Sequence, residues 1–132
     1  MARITDTTTT LTGGAWAGDY LNREHLVPGG SKVVAAAFTV NGEGRAFIPS
    51  GTLIGRTFAE RLAGTAFGPA GDLDDEVFIT AFDVFDALVN SDVDLYRPGS
   101  IVKENFLPQF GSISAALTTK YRDLYVTTRG VN

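Results

Sequence analysis

The sequence predicts a mainly β domain with one helix, an α+β chain. Three observations predict it. Runs rich in Val, Ile, Phe and Thr recur between residues 32 and 103, and clusters of Gly, Pro, Asn and Asp cut them at short intervals. Apolar residues at helical spacing occur in one place, near the C-terminal end. The N-terminal TDTTTTLTGGAW is β-branched yet polar on both faces, so no core would hold it as a strand of its own.

Taken in order, residues 1–16 read as a flexible arm, small, polar and β-prone, with Gly13-Gly14 as a joint. Residues 17–132 read as a single mainly-β domain, with no internal repeat. Residues 17–31 are irregular and contain the breaker Pro28-Gly29-Gly30. KVVAAAFTV, Lys32 to Val40, predicts a largely buried strand. NGEG, Asn41 to Gly44, predicts a turn, from which Arg45–Ile48 pair back as a hairpin. After Pro49-Ser50-Gly51, Thr52–Thr57 is a further short strand, in which Gly55 marks a bulge or a close approach. Residues 58–76 read as a glycine-rich, acidic connection.

EVFITAFDVFDALV, Glu76 to Val89, is the strongest strand signal. Val77, Ile79, Ala81, Phe85, Ala87 and Val89 fall on one face, and Phe78, Phe82, Val84 and Leu88 on the other, so burial on both faces is expected. Asp83 and Asp86 break the pattern and suggest a bulge or bend. Asn90-Ser91-Asp92 is expected to turn the chain, with Val93–Arg97 returning as the partner strand. Pro98-Gly99 turns again, and Ser100–Lys103 is extended. From Ser112, Ile113, Ala116, Leu117, Tyr121 and Leu124 predict a helix of about three turns, with Ser112 as its N-cap. Tyr125–Thr128 can close the chain as a last strand.

Composition narrows the function. The 132 residues include no cysteine, which excludes disulfides and thiolate metal sites. The formal net charge is −4, and the eleven basic residues are scattered, which argues against a nucleic-acid partner. The apolar runs are too short to span a bilayer, so no membrane partner is expected.

The search for chemistry finds little. His25 is the single histidine, and it reads as a surface or turn residue. No G-x-S-x-G elbow surrounds any serine. Asp72, Asp74, Asp75 and Glu76 form an acidic cluster without the EF-hand order of ligands, so a solvated loop is the plain reading. Asp83 and Asp86, three apart on one strand, point to opposite faces unless a bulge intervenes. G-x-G in NGEG lacks the third glycine and the helix of a dinucleotide site. Trp16 and Tyr20 flank the arm and can either anchor an interface or fold back on the domain. No cofactor, no metal and no enzymatic activity are expected from these residues.

A resemblance carries the reading further. IPSGTLIGRT resembles the G-T-(V/I)-(L/I)-G-(K/R) strand of bacteriophage head decoration proteins of the lambda-like type, also called cement proteins. VFITAFDVFDALVNSDVDLYRPGSIVKENFL is similar to that family's hydrophobic strand, D-V-D-like bend, spacer, strand ending in basic-x-G, and short strand before an Asn-x-x-Leu-like segment. The predicted helix and the closing Arg129-Gly130-Val131 are similar to the family's C-terminal features. The resemblance runs from Ile48 to Val131. Phe58 to Gly71 has no counterpart in it, and D-V-D is spread into D-V-F-D.

The resemblance implies a small β-clip or β-barrel-like domain, built on a bent β-ribbon, with an accessory helix and an extended arm. It implies a viral structural protein without catalytic residues. Such a protein sits as a homotrimer on the outer surface of the expanded head, where it holds the major capsid protein against the pressure of packaged DNA. The arm would supply the contact by adding a strand to the shell, through Thr7, Thr8, Thr9, Thr10, Leu11, Thr12 and Trp16. Two other readings compete. A tail, baseplate or carbohydrate-binding module would use Trp16, Tyr20 or Tyr96. A small metal-dependent hydrolase would use Asp72, Asp74, Asp75 or Glu76.

Overall fold

A computed structural model describes residues 14–18, 26–27, 31–34, 37–38, 45–87 and 89–130. It is mainly β, with several small sheets and one main helix, as the sequence predicts. The strands are β1 (Ser31–Val34), β2 (Ala46–Ile48), β3 (Leu53–Arg56), β4 (Gly68–Pro69), β5 (Glu76–Ile79), β6 (Val84–Ala87), β7 (Val89–Val93), β8 (Ile101–Lys103) and β9 (Val126–Thr128). The helices are α1 (Phe58–Ala63) and α2 (Ala115–Leu124).

The centre of the fold is one long antiparallel ribbon, bent in the middle. Its first half pairs β3 with β5, from Leu53↔Ile79 to Arg56↔Glu76. Its second half pairs β2 with β6, through Ala46↔Ala87 and Ile48↔Val84. Between the halves lie residues 49–52 and 80–83. There side chains replace the regular ladder, and each buried polar group finds a partner. Gly51 N–H donates to Thr80 O (2.8 Å) and Thr80 N–H to Thr52 O (3.0 Å). Thr80 Oγ1 donates to Pro49 O and accepts from Thr52 N–H. Ser50 Oγ donates to Ala81 O, and Ser50 N–H donates to the Asp83 carboxylate. The predicted strand 76–89 is therefore divided into β5 and β6, and its last residue, Val89, begins β7. The bend expected near Asp83 is present, and Asp83 helps to hold it.

Two apolar clusters sandwich the ribbon. Leu53, Val77 and Ile79 face α2, where they pack with Tyr96, Val102, Leu107, Leu117, Tyr121 and Tyr125. Ile54 faces the other way and packs with Val33, Ile48, Phe67, Val93 and Leu95. Both faces of β3–β5 are thus buried, as the unbroken apolar pattern predicts. The prediction fails in and beyond the bend, where the Phe82 and Phe85 side chains are exposed.

Four further expectations are corrected. The hairpin of residues 32–40 with 45–48 does not form between the described strands. β1 pairs instead with β7 (Ser31↔Val93 to Val34↔Val89), and β2 pairs with β6. Asn90-Ser91-Asp92 is not a turn, because these residues lie inside β7, against β1. The expected partnership of Val93–Arg97 with the long strand survives only as the bridge Thr80↔Leu95, with Tyr96 N–H donating to Ile79 O. The helix begins later than expected, since Ser114, not Ser112, accepts the Leu117 N–H as N-cap.

Residues 58–76 are not a plain connection either. They contain α1, closed at its start by a capping box in which Thr57 and Glu60 satisfy each other's backbone N–H. Gly64 ends it in the left-handed conformation. The close approach predicted at Gly55 is present, because a Cβ there would lie 2.6 Å from Asp74 Oδ2 and 2.8 Å from Glu76 O.

The C-terminal elements match the sequence best. α2 runs for ten residues and buries Leu117 and Tyr121. β9 follows and lies parallel to β8, with Ile101↔Val126 in register. Asn105 then holds the chain end, donating to Gly130 O and accepting from Gly130 N–H.

Candidate interaction surfaces

The first described residues are firmly held. Residues Gly14–Trp16 form a single 3-10 turn, and the Trp16 side chain is only 1 % exposed. Its indole Nε1–H donates to Ser50 Oγ at 2.9 Å, inside the bend of the ribbon. Its ring meets Tyr96 edge to face, with centroids 4.8 Å apart. Gly51 supplies the space. Its φ is +85°, and a Cβ there would stand 2.8 Å from the indole nitrogen and 2.9 Å from Pro108. Directly after Trp16, Ala17 bridges Val102 in antiparallel sense, and Gly18 N–H donates to Ile101 O at 2.8 Å. The chain thus meets the free edge of β8 through one bridge directly after Trp16.

This resolves the two readings of Trp16. It folds back on its own domain and is not available to a partner. Gly14–Trp16, expected as the end of an arm, pack against the described domain, while residues 1–13 lie outside the described residues. Thr7, Thr8, Thr9, Thr10, Leu11 and Thr12 lie outside the described residues, as do Tyr20 and His25. Tyr96 is also buried, its hydroxyl donating to Ile101 O. A carbohydrate site made from Trp16 and Tyr96 therefore has no accessible aromatic surface.

The acidic cluster holds structure together. Asp72 accepts from Ser114, the α2 N-cap (2.6 Å). Asp74 accepts from Gly71 N–H, and Asp75 from Phe58 N–H at the start of α1. Glu76 is bridged by Arg56 and Arg61 at 2.9 and 3.0 Å. Lys120 of α2 donates to the backbone oxygens of Asp72 and Asp74. Among the described residues, no group of three or more His, Asp or Glu side chains is arranged to hold a metal ion.

Two apolar surfaces emerge that the sequence reading did not nominate. On β2–β6, Phe47 and Phe85 point outward side by side, with ring centroids 5.2 Å apart and Phe85 67 % exposed. At the opposite end of the ribbon, no residue of α1 is buried, and Phe58 and Leu62 stand one turn apart on its surface. Leu73, 87 % exposed, lies in the loop whose Asp75 caps α1. The pattern T-F-A-E at residues 57–60 is a capping-box signature and was the available signal for this helix.

A groove of about 300 Å³ opens beside β1, between Lys32, Arg56 and Thr65–Phe67. Its cations are already engaged, Lys32 by Asp92 and Arg56 by Glu76, Thr65 O and the Phe67 ring.

Two groups with shifted behaviour, Tyr121 and Tyr125, lie in the core at α2. Burial holds the Tyr125 hydroxyl protonated well above the ordinary tyrosine range, and this hydroxyl donates to Tyr96 O while accepting from Ile79 N–H. Tyr121 is raised as well, by burial first and then by the Glu104 carboxylate. Both side chains belong to the apolar cluster that joins α2 to β3 and β5.

Comparison with known proteins adds no relative: no family model, no curated protein and no solved structure matches the chain.

Proposed function

We propose that the chain is a structural protein of a phage virion. It binds the outer surface of the expanded head as a trimer and stabilises the major capsid protein lattice through its N-terminal arm. The observation that supports this reading is the buried Trp16, which anchors Gly14–Gly18 beside β8 directly after the threonine-rich segment of the sequence. The family resemblance read from the sequence supplies the partner.

Magnitudes favour a tethered, multivalent contact. Five or six backbone hydrogen bonds made by Thr7–Thr12 contribute about 0.5–1.5 kcal/mol each. Ordering those residues costs about 1–2 kcal/mol each. One arm alone is close to neutral, with Leu11 as its one large apolar anchor, since Trp16 is committed to the core. Three arms on one trimer gain through effective concentration, and a rigid root keeps each strand close to its acceptor edge. Threonine is soluble while unpaired, so the free protein presents no sticky edge.

The test is co-sedimentation with expanded heads of the phage that encodes the chain, comparing the full chain with one lacking residues 1–13. Capsid-like stoichiometry for the full chain, lost on truncation, is the expected result. Equal pelleting of both refutes the strand-donation role of the arm, and failure of both to pellet refutes the decoration reading.

A further inference from the structure

We infer that α1 and the loop 71–75 form a second docking face for the same shell, one that fits an apolar depression bordered by lysine or arginine side chains. The inference rests on the decoration reading above. Its evidence is separate from the arm, because it lies wholly in α1 and the loop that follows β4.

α1 is anomalous for a helix in a small domain. Most helices persist because one face is buried, yet no residue of α1 is buried. It is held by its ends and its charges instead. Thr57 and Glu60 close the capping box, and Asp75 accepts from Phe58 N–H. Arg61 bridges Glu76 and lies over the Phe58 ring at 5.1 Å. This scaffolding presents Leu62, 85 % exposed, and half-exposed Phe58 one turn apart on its surface. Leu73 is added from the adjoining loop.

Charge identifies the occupant. Residues 56–76 hold five carboxylates against two arginines, an excess of three negative charges in a chain whose total is −4. Lys120 offsets one of them from α2. Exposed Glu60, Asp72 and Asp75 therefore surround the apolar side chains with negative potential, which selects a basic rim on the partner and disfavours a second copy of this acidic chain. Area points the same way. Three such side chains expose on the order of 400 Å², whereas a stable pairwise interface needs about 800 Å² per partner. The face is too small to hold a dimer alone. It suffices as an auxiliary contact on a partner already engaged by the arm.

The test is a binding titration of the full-length chain against expanded heads at 50 and 300 mM NaCl, using the wild type and the double variant L62S/L73S. Both leucines are exposed, and an unchanged Tm confirms that the variant is folded. The expected result is at least a tenfold loss of affinity in the variant, with wild-type binding weakened by salt. Wild-type affinity in the variant overturns the inference and leaves the decoration reading intact. So does wild-type binding that salt does not weaken. So does sedimentation of the free protein in which L62S/L73S dissolves an oligomer, since the occupant is then a second copy. Failure of the wild type itself to bind heads overturns the decoration reading, and this inference with it.

Discussion

Replacing Trp16 with alanine tests whether the root of the arm is a structural clamp. The side chain is fully buried between Tyr96 and the bend, and its N–H is the donor to Ser50 Oγ. Removing a buried tryptophan costs about 3–5 kcal/mol. The lost hydrogen bond lies within that range, because Ser50 Oγ still donates to Ala81 O and is left short of a donor only. A chain of 132 residues has a total stability of about 7–20 kcal/mol. Trp16→Ala therefore leaves a folded but much weaker protein, with Tm lower by roughly 10–20 °C at about 3–5 °C per kcal/mol. Trp16→Phe keeps the contact with Tyr96, loses the N–H, and falls between, at about 1.5–3 kcal/mol. Urea unfolding followed by far-UV circular dichroism is the assay, since Trp16 is the sole tryptophan and fluorescence would vanish with it. A loss below about 1 kcal/mol for Trp16→Ala, at unchanged m-value, would refute the clamp.

Gly51→Ala meets both a left-handed backbone and the indole, and should cost about 2–4 kcal/mol by the same assay. Thr80→Val keeps the shape of a fully buried side chain but strips the bend of a donor and an acceptor, so a loss of about 1–3 kcal/mol is expected in urea. Tyr125→Phe leaves Ile79 N–H without the hydroxyl it donates to and should cost about 1–3 kcal/mol, read as a shift of the urea midpoint. Tyr121 and Tyr125 both have folded pKa values above the 10.0 of a free tyrosine, so the fold binds their protons more tightly than the unfolded chain does. Their contribution is complete below pH 10 and is lost as pH rises through the folded values. An absorbance titration of tyrosinate should accordingly show Tyr121 and Tyr125 ionising late, together with the loss of secondary structure.

Short local patterns were legible in the sequence, and long-range partners were not. β3, β8, β9 and α2 follow from β-branched runs, turn residues and one helical period, because those signals act within a few residues. The hairpin assigned to residues 32–48 failed for a different reason. A strand with apolar residues on both faces states that it is buried, not which neighbour buries it, and β1 found β7 some sixty residues away. Ser112 and Ser114 are equally good N-caps by residue type. Ser114 prevails because Asp72 receives its hydroxyl and Lys120 ties the same loop to α2. Of the candidate site, Thr7–Thr12 lie outside the described residues. The role of Trp16 was not legible, since an aromatic beside an arm suits an anchor or a core equally well until the position of Ser50 is known.

The bend explains why one misread strand and one misread tryptophan belong together. A regular ladder through residues 76–89 would have satisfied every backbone group without polar side chains. Breaking it at residues 80–83 exposes donors and acceptors inside a core, and each orphan there would cost about 1–3 kcal/mol. Ser50, Thr52, Thr80 and Asp83 meet that demand with side-chain oxygens, which is why polar residues sit where the apolar pattern falters. Ser50 Oγ, having donated to Ala81 O, retains a free acceptor lone pair, and the indole N–H of Trp16 fills it. The root of the arm is thereby a member of the hydrogen-bond set that bends the ribbon. A weakened bend should loosen Gly14–Gly18 even in variants that remain folded, whereas changes on the outward faces of β2–β6 or α1 should leave these residues untouched, as amide exchange at Gly18 would show.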